Sequence, residues 1–211
     1  MSDIHPARDA RFAWPYDDYS RVPYQVYTDP DLYAREQEHV FRGPTWNFLC
    51  LDIEIPNPGD YKTVQVGDVP VIVVRDETGA VNAVVNRCAH KGALLCYRPR
   101  GNISEFCCIY HNWTYDLNGR LSGVAFRRGV GGKGGLDSDF DFSENGLETL
   151  RVECVRGLVF GTLCDRTPPF EEYIGPELMA SIDRIFIKPL KVIGYYSQVF
   201  PNNWKLYVEN N

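Results

Sequence analysis

Two short stretches gather the side chains most capable of chemistry in this chain: Cys88-Ala89-His90 and Cys108-Ile109-Tyr110-His111. Together they spell C-x-H-x17-C-x2-H, with seventeen residues between His90 and Cys108. Thiolate sulfur and imidazole nitrogen are ligands for transition metals. Two of the four histidines and two of the seven cysteines fall in these pairs, which coincidence rarely produces. A Cys2His2 zinc site is the rival reading, but zinc fingers usually group the cysteines on one loop and the histidines on a helix. Here each loop is mixed. Mixed ligation suits a two-iron, two-sulfur cluster in which imidazoles replace two thiolates on one iron, removing negative charge and raising the reduction potential. Each loop would give its Cys to one iron and its His to the other. The expected chemistry is one-electron transfer, with Cys88, His90, Cys108 and His111 as ligands.

Cys107 abuts Cys108, and adjacent residues of a strand point to opposite faces. The two-residue gap to His111 selects Cys108 and leaves Cys107 as a core or outer-sphere thiol. Cys50, Cys96, Cys154 and Cys164 lack a nearby histidine and read as packing residues. His5 and His39 read as surface residues. The run Gly129-Val130-Gly131-Gly132-Lys133-Gly134-Gly135 imitates a phosphate loop only superficially. Arg127 stands where G-x4-G-K-[ST] needs its first Gly, and Gly134 follows Lys133 where Ser or Thr is required.

Positioning such ligands calls for strands ending in loops. Val69 to Arg75, Ala80 to Val85, Glu105 to Ile109, Trp113 to Leu117 and Arg120 to Val124 read as strands. Asp76 to Gly79 forms a turn, and Asn118-Gly119 predicts a two-residue hairpin. Short strands at this spacing predict an antiparallel β domain over 45–165. Before it, residues 1–44 form an arm, in which Asp29-Pro30 starts a helix that Gly43 ends, with Leu32, Tyr33, Val40 and Phe41 on one face. After it, Phe170 to Phe186 is partly helical, with Leu178, Ile182 and Ile185 at helix spacing. Leu190 to Phe200 reads as a strand, and Asn202-Asn203 cap a short helix from Trp204. Nothing in the composition makes Asn211 a natural domain end, so 166–211 reads as the truncated start of a further domain.

The chain has 211 residues, of which 44% are hydrophobic and 24% charged, and its net charge is −6. That acidity gives no footprint for nucleic acid. Arg98, Arg100, Arg127 and Arg128 are candidates for a local patch facing an acidic protein partner. There is no apolar run long enough to span a membrane and no apolar signal core, which predicts a cytoplasmic protein with reduced thiols.

The stretch Asn86-Arg87-Cys88-Ala89-His90-Lys91-Gly92-Ala93-Leu94, together with Cys108 through Gly119, resembles the Rieske signature of ring-hydroxylating oxygenase α subunits. The resemblance runs from about Arg21 to the last residue. It implies a mainly β fold, with an antiparallel Rieske β-sandwich, an N-terminal helical arm and the start of an α+β catalytic domain. Asn203 to Asn210 is similar to the opening of that domain, which in the family leads into D-x2-H-x4-H and a mononuclear Fe(II). The chain stops before those residues, and none of its own is assigned to that iron. The family further implies an aromatic substrate, O2, electrons from NAD(P)H through a reductase or ferredoxin, and a homotrimer or an α3β3 assembly with a small β subunit. It places His111 toward the neighbouring subunit and Trp113 beside the cluster. Lys91 departs from the more usual Arg, keeping the charge but losing the forked donor. Arg21-Val22-Pro23-Tyr24, Gly123 to Phe126 and Asn202 to Leu206 look similar to the terephthalate, salicylate and anthranilate branch. A stand-alone Rieske ferredoxin is the alternative; it would leave the residues before Trp46 and after the β domain without a role.

Overall fold

The structure is a computed structural model, and it describes residues 11–14 and 20–209. Ten strands carry the fold: β1 Asn47–Leu51, β2 Asp60–Val66, β3 Val69–Arg75, β4 Val81–Val85, β5 Arg100–Asn102, β6 Phe106–Cys107, β7 Thr114–Tyr115, β8 Leu121–Gly123, β9 Thr149–Val155 and β10 Leu158–Thr162. They form two sheets. A seven-stranded sheet runs β1-β10-β9-β4-β3-β2-β5 and a three-stranded sheet runs β6-β7-β8, and every pairing is antiparallel. The fold is mainly β.

β3 shows why the sheets stack as they do. Its residues from Val71 to Val74 are all buried, but they serve two different cores. Val71 and Val73 pack with Leu49, Cys50, Ile55, Val66 and Val159 on one face. Ile72 and Val74 pack on the other with Phe106, Tyr115 and Leu121 from the small sheet. Alternation along a strand thus splits one apolar run between two layers. Fully burying each Val or Ile side chain contributes about 1.5–3 kcal/mol, so β3 anchors both.

Two hairpins share one device. In Asp76–Ala80 and Asp116–Arg120 the Asp carbonyl accepts from the Gly amide three residues on, and the Asp amide donates to the residue after that Gly. Gly79 and Gly119 take positive φ values of 89° and 84°. The Asp carboxylates accept amides two and four residues ahead. Asn118-Gly119 is therefore not a two-residue loop: Leu117, Asn118 and Gly119 all lie outside the Tyr115↔Leu121 pair, as in a type I turn closed by a glycine bulge.

The helices are short. α1 is Gln25–Thr28, α2 is Pro30–Glu36, α3 is Phe170–Ile185 and α4 is Trp204–Glu209. Asp29 caps α2 through Leu32 N–H, and Asn203 Oδ1 accepts from Lys205 N–H at α4. The helix expected to reach Gly43 instead widens into a π turn over Gln37–Phe41. That turn shifts the register, so Tyr33 and Val40 stay exposed while Phe41 meets Trp204. α3 kinks at Gly175, whose φ is 75°, and of its three spaced apolar residues only Ile182 is buried. The strand expected over 190–200 enters no ladder among the described residues. A strand needs a partner for its N–H and C=O groups, and none of the ten strands pairs with it.

Candidate metal centre

The first Cys–His loop leaves the end of β4; the second joins β6 to β7. Both follow one backbone plan. Cys88 N–H donates to Ala93 C=O and Gly92 N–H donates back to Cys88 C=O, each at 2.8 Å. Cys108 N–H donates to Trp113 C=O and Asn112 N–H donates back to Cys108 C=O, each at 2.9 Å. The fourth residue after each Cys takes a left-handed conformation, Gly92 with φ 69° and Asn112 with φ 52°. Glycine enters that region without strain, and Asn tolerates it better than most residues. Each loop thereby closes into a tight turn on its cysteine.

The side chains come together in pairs. Cys88 and Cys108 are buried in the same core cluster. The His90 and His111 rings lie 4.7 Å apart, centroid to centroid, in an edge-to-face arrangement. His90 stacks on Trp113 at 4.8 Å with only 11° between the planes. Its Nδ1 is buried and has no hydrogen-bond partner. A buried nitrogen left so costs about 1–3 kcal/mol, unless a metal takes its lone pair. Burial, then the charges of His111 and Lys91, hold its pKa below the usual histidine value, which keeps the imidazole neutral and able to coordinate. His111 is exposed beside Tyr110 and Ile109, and the groove there, of about 420 Å³, is lined by both histidines, Trp113, Val124, Phe126 and Leu136.

Cys107 is exposed whereas Cys108 is buried, opposite faces as the strand-face argument expects, but exposure rules out the core role for Cys107. Cys50 and Cys96 pack in the cores, and burial pushes their thiols up to about 12 and about 11. Cys154 is exposed and Cys164 half-buried, so the packing role expected for all four holds for two. By alternation Cys154 shares the face of Leu150 and Val152, toward the exposed end of β9, and Cys164 lies past the end of β10. His39 is exposed; His5 lies outside the described residues.

Two participants had no assigned role at the level of sequence. Tyr115 is fully buried; its hydroxyl accepts from Ala89 N–H at 3.1 Å and lies 3.2 Å from Cys88 Sγ. Burial, then the contact with Cys88, pushes its pKa up, so the phenol keeps its proton. The alternation Trp113, Tyr115, Leu117, all buried, was the signal available for it. Asn86, buried just ahead of the first loop, is the other. Among the described residues no three His, Cys, Asp or Glu side chains group around one point.

Residues 45–130 match the Rieske [2Fe-2S] domain. This is the class of domain that the two loops define. Over 209 residues the chain is 51% identical to the anthranilate 1,2-dioxygenase large subunit of Burkholderia cepacia, covering 99% of this chain and 48% of that one. It is 46% identical to the terephthalate 1,2-dioxygenase terminal oxygenase component subunit alpha 2 of Comamonas sp (90% and 46% covered). Identity is also 46% to the large oxygenase component of salicylate 5-hydroxylase of Ralstonia sp (93% and 48%). Among solved structures, a naphthalene 1,2-dioxygenase from Rhodococcus sp. superposes with a TM-score of 0.69 at 33% identity, covering 78% of this chain and 36% of that one. The chain is similar to the large or α subunits of these oxygenases, and it spans about half the length of the curated relatives it matches. The relatives' own names make them components of multi-subunit oxygenases. No described helix is long and apolar enough to cross a membrane.

Proposed function

We propose that Cys88, His90, Cys108 and His111 hold the [2Fe–2S] cluster, both thiolates on one iron and both imidazoles on the other. The observation that carries this is His90 Nδ1, buried and unpartnered, in a ring 4.7 Å from His111 and beside two thiols buried in one core. When bound, the cluster supplies one-electron transfer at a potential raised by its imidazoles. The residues around it define its setting. Tyr115 directs its hydroxyl at Cys88 Sγ, Trp113 covers the His90 ring, and His111 keeps an edge toward the apolar groove. That exposed edge is where electrons leave.

In the complete oxygenase the recipient is a mononuclear Fe(II) whose D-x2-H-x4-H ligands this chain does not contain. The substrate is an aromatic carboxylate, since anthranilate, terephthalate and salicylate name the relatives' enzymes, and O2 is the oxidant. Electrons arrive from a reductase or ferredoxin, and the subunits form a homotrimer or α3β3 hexamer in the cytoplasm, with His111 facing the neighbouring subunit. Residues 1–44 are the arm, 45–165 the Rieske domain and 166–211 the opening of the catalytic domain. Of the four arginines suggested for partner docking, Arg100 lies over Tyr195 at 3.6 Å and Arg127 over Phe142 at 4.7 Å, which leaves Arg98 and Arg128 for that role.

Dithionite reduction of the purified chain tests the assignment. A low-field-shifted Rieske EPR signal with two irons and two sulfides per chain is expected. A colourless, EPR-silent protein with one zinc would overturn it.

A further inference from the structure

We infer that Asn86 is a positioning residue for the first ligand loop: its carboxamide ties the start of the loop to its end, presetting Cys88 and His90. Its consequence for the metal rests on the cluster assignment above; the clamp itself rests on geometry. Asn86 is buried, and its side chain makes three hydrogen bonds across the mouth of the loop. Nδ2 donates to Cys96 C=O at 2.7 Å, while Oδ1 accepts from Leu95 N–H at 2.8 Å and Cys96 N–H at 3.0 Å. Only a group with a donor and an acceptor a bond angle apart can serve all three, and the amide can form at most four. Its own backbone N–H donates to Pro70 C=O at 2.7 Å, fixing it to β3. At the other end Leu95 and Cys96 are buried in the core that contains both candidate thiols, and the Cys96 thiol meets the Tyr61 hydroxyl of β2.

The reason for a side-chain clamp lies in the topology. The second loop is closed by a ladder, because β6 and β7 pair directly on either side of it. The first loop has no such ladder: β4 pairs with β3 and β9, and residues 95 and 96 belong to no strand. Asn86 supplies what strand pairing supplies elsewhere. Without it, Leu95 N–H, Cys96 N–H and Cys96 C=O would be buried and unpaired, and the loop would open to find partners.

The test compares Asn86→Ala with Asn86→Asp in the full chain. In the apoprotein, amide hydrogen exchange over 88–96 should accelerate about tenfold or more in the Ala variant, with 108–113 unchanged. On reconstitution at limiting iron, occupancy should require about 10–100-fold more iron, the usual scale for an outer-sphere residue. Asn86→Asp keeps both acceptor bonds and loses the donor, so it should fall between Ala and wild type in exchange and iron requirement and shift the midpoint potential. Unchanged exchange over 88–96 would overturn the clamp. Equal acceleration of both loops would also overturn it, by making Asn86 a general stabiliser. A wild-type chain without a Rieske EPR signal would instead sink the cluster assignment, while the exchange data would still decide the clamp.

Discussion

The two Cys–His loops share a hydrogen-bonding plan yet differ in nearly everything around it. In the first, the plan closes with Gly92, a buried Asn86 ties the ends, and His90 turns its Nδ1 inward beneath Trp113. In the second, the plan closes with Asn112, strand pairing ties the ends, and His111 stays at the surface among Tyr110, Ile109 and Phe126. The difference teaches a division of labour. One loop is built to hold a metal against the core and the other to hold it where a partner can come close.

Replacing ligands should have the largest effect and should ignore that difference. Each of Cys88, His90, Cys108 and His111 changed to Ala should abolish cluster assembly, measured as iron, labile sulfide and the EPR signal. Cys107→Ala should assemble normally. If His111→Ala kept a full cluster while His90→Ala lost it, His111 would not be a ligand.

The scaffold that carries the loops comes next. Burial pushes the Asp76 carboxylate up, but hydrogen bonds from Thr78, Asn82 and backbone amides outweigh it and hold its pKa below the usual Asp value. Asp60, paired with Asn102, is held down as well. Their folded-state pKa values lie below the unfolded ones, so the unfolded chain binds more protons. This stabilisation is complete above the unfolded carboxylate pKa, about 4, and is lost as pH falls through the folded values. Asp76→Ala should destabilise by about 2–3 kcal/mol at pH 7, seen in urea denaturation, and should flatten the acid limb of stability against pH. An unchanged acid limb would remove Asp76 from this account.

Smaller effects separate the left-handed residues. A Cβ at Gly92 meets nothing within 4 Å, so only its φ resists substitution. Gly92→Ala should therefore cost about 1–2 kcal/mol. Asn112→Gly should change stability by less than about 1 kcal/mol, because Asn already tolerates the conformation. Equal costs in both loops, measured by denaturation of the apoprotein, would show that the shared plan is not what strains them.

The finest distinction is electronic. The Tyr115 hydroxyl reaches the sulfur of the first loop, and a hydrogen bond to a ligand thiolate favours the more negative, reduced state. Tyr115→Phe should lower the midpoint potential by tens of millivolts with the cluster intact, read by redox titration. No shift would mean that this contact does not survive cluster binding.

The sequence by itself determined the four ligands proposed, the β character, the span of β3 from Val69 to Arg75 and the Asp29 and Asn203 caps. These are signals in which neighbours in sequence do the physical work: alternation, local side-chain-to-backbone bonds and ligand spacing. Tertiary structure decided the rest. Only folding brings Asn86 across to Leu95 and Cys96, and carries Tyr115 from one loop's strand to the other loop's sulfur. Only folding widens the end of α2, where Gln37 Oε1 accepts Asp68 N–H at the tip between β2 and β3. The stretch 190–200 shows the same division. Its residues favour a strand, but a ladder requires a second backbone, and no pattern within one segment can specify where that backbone comes from.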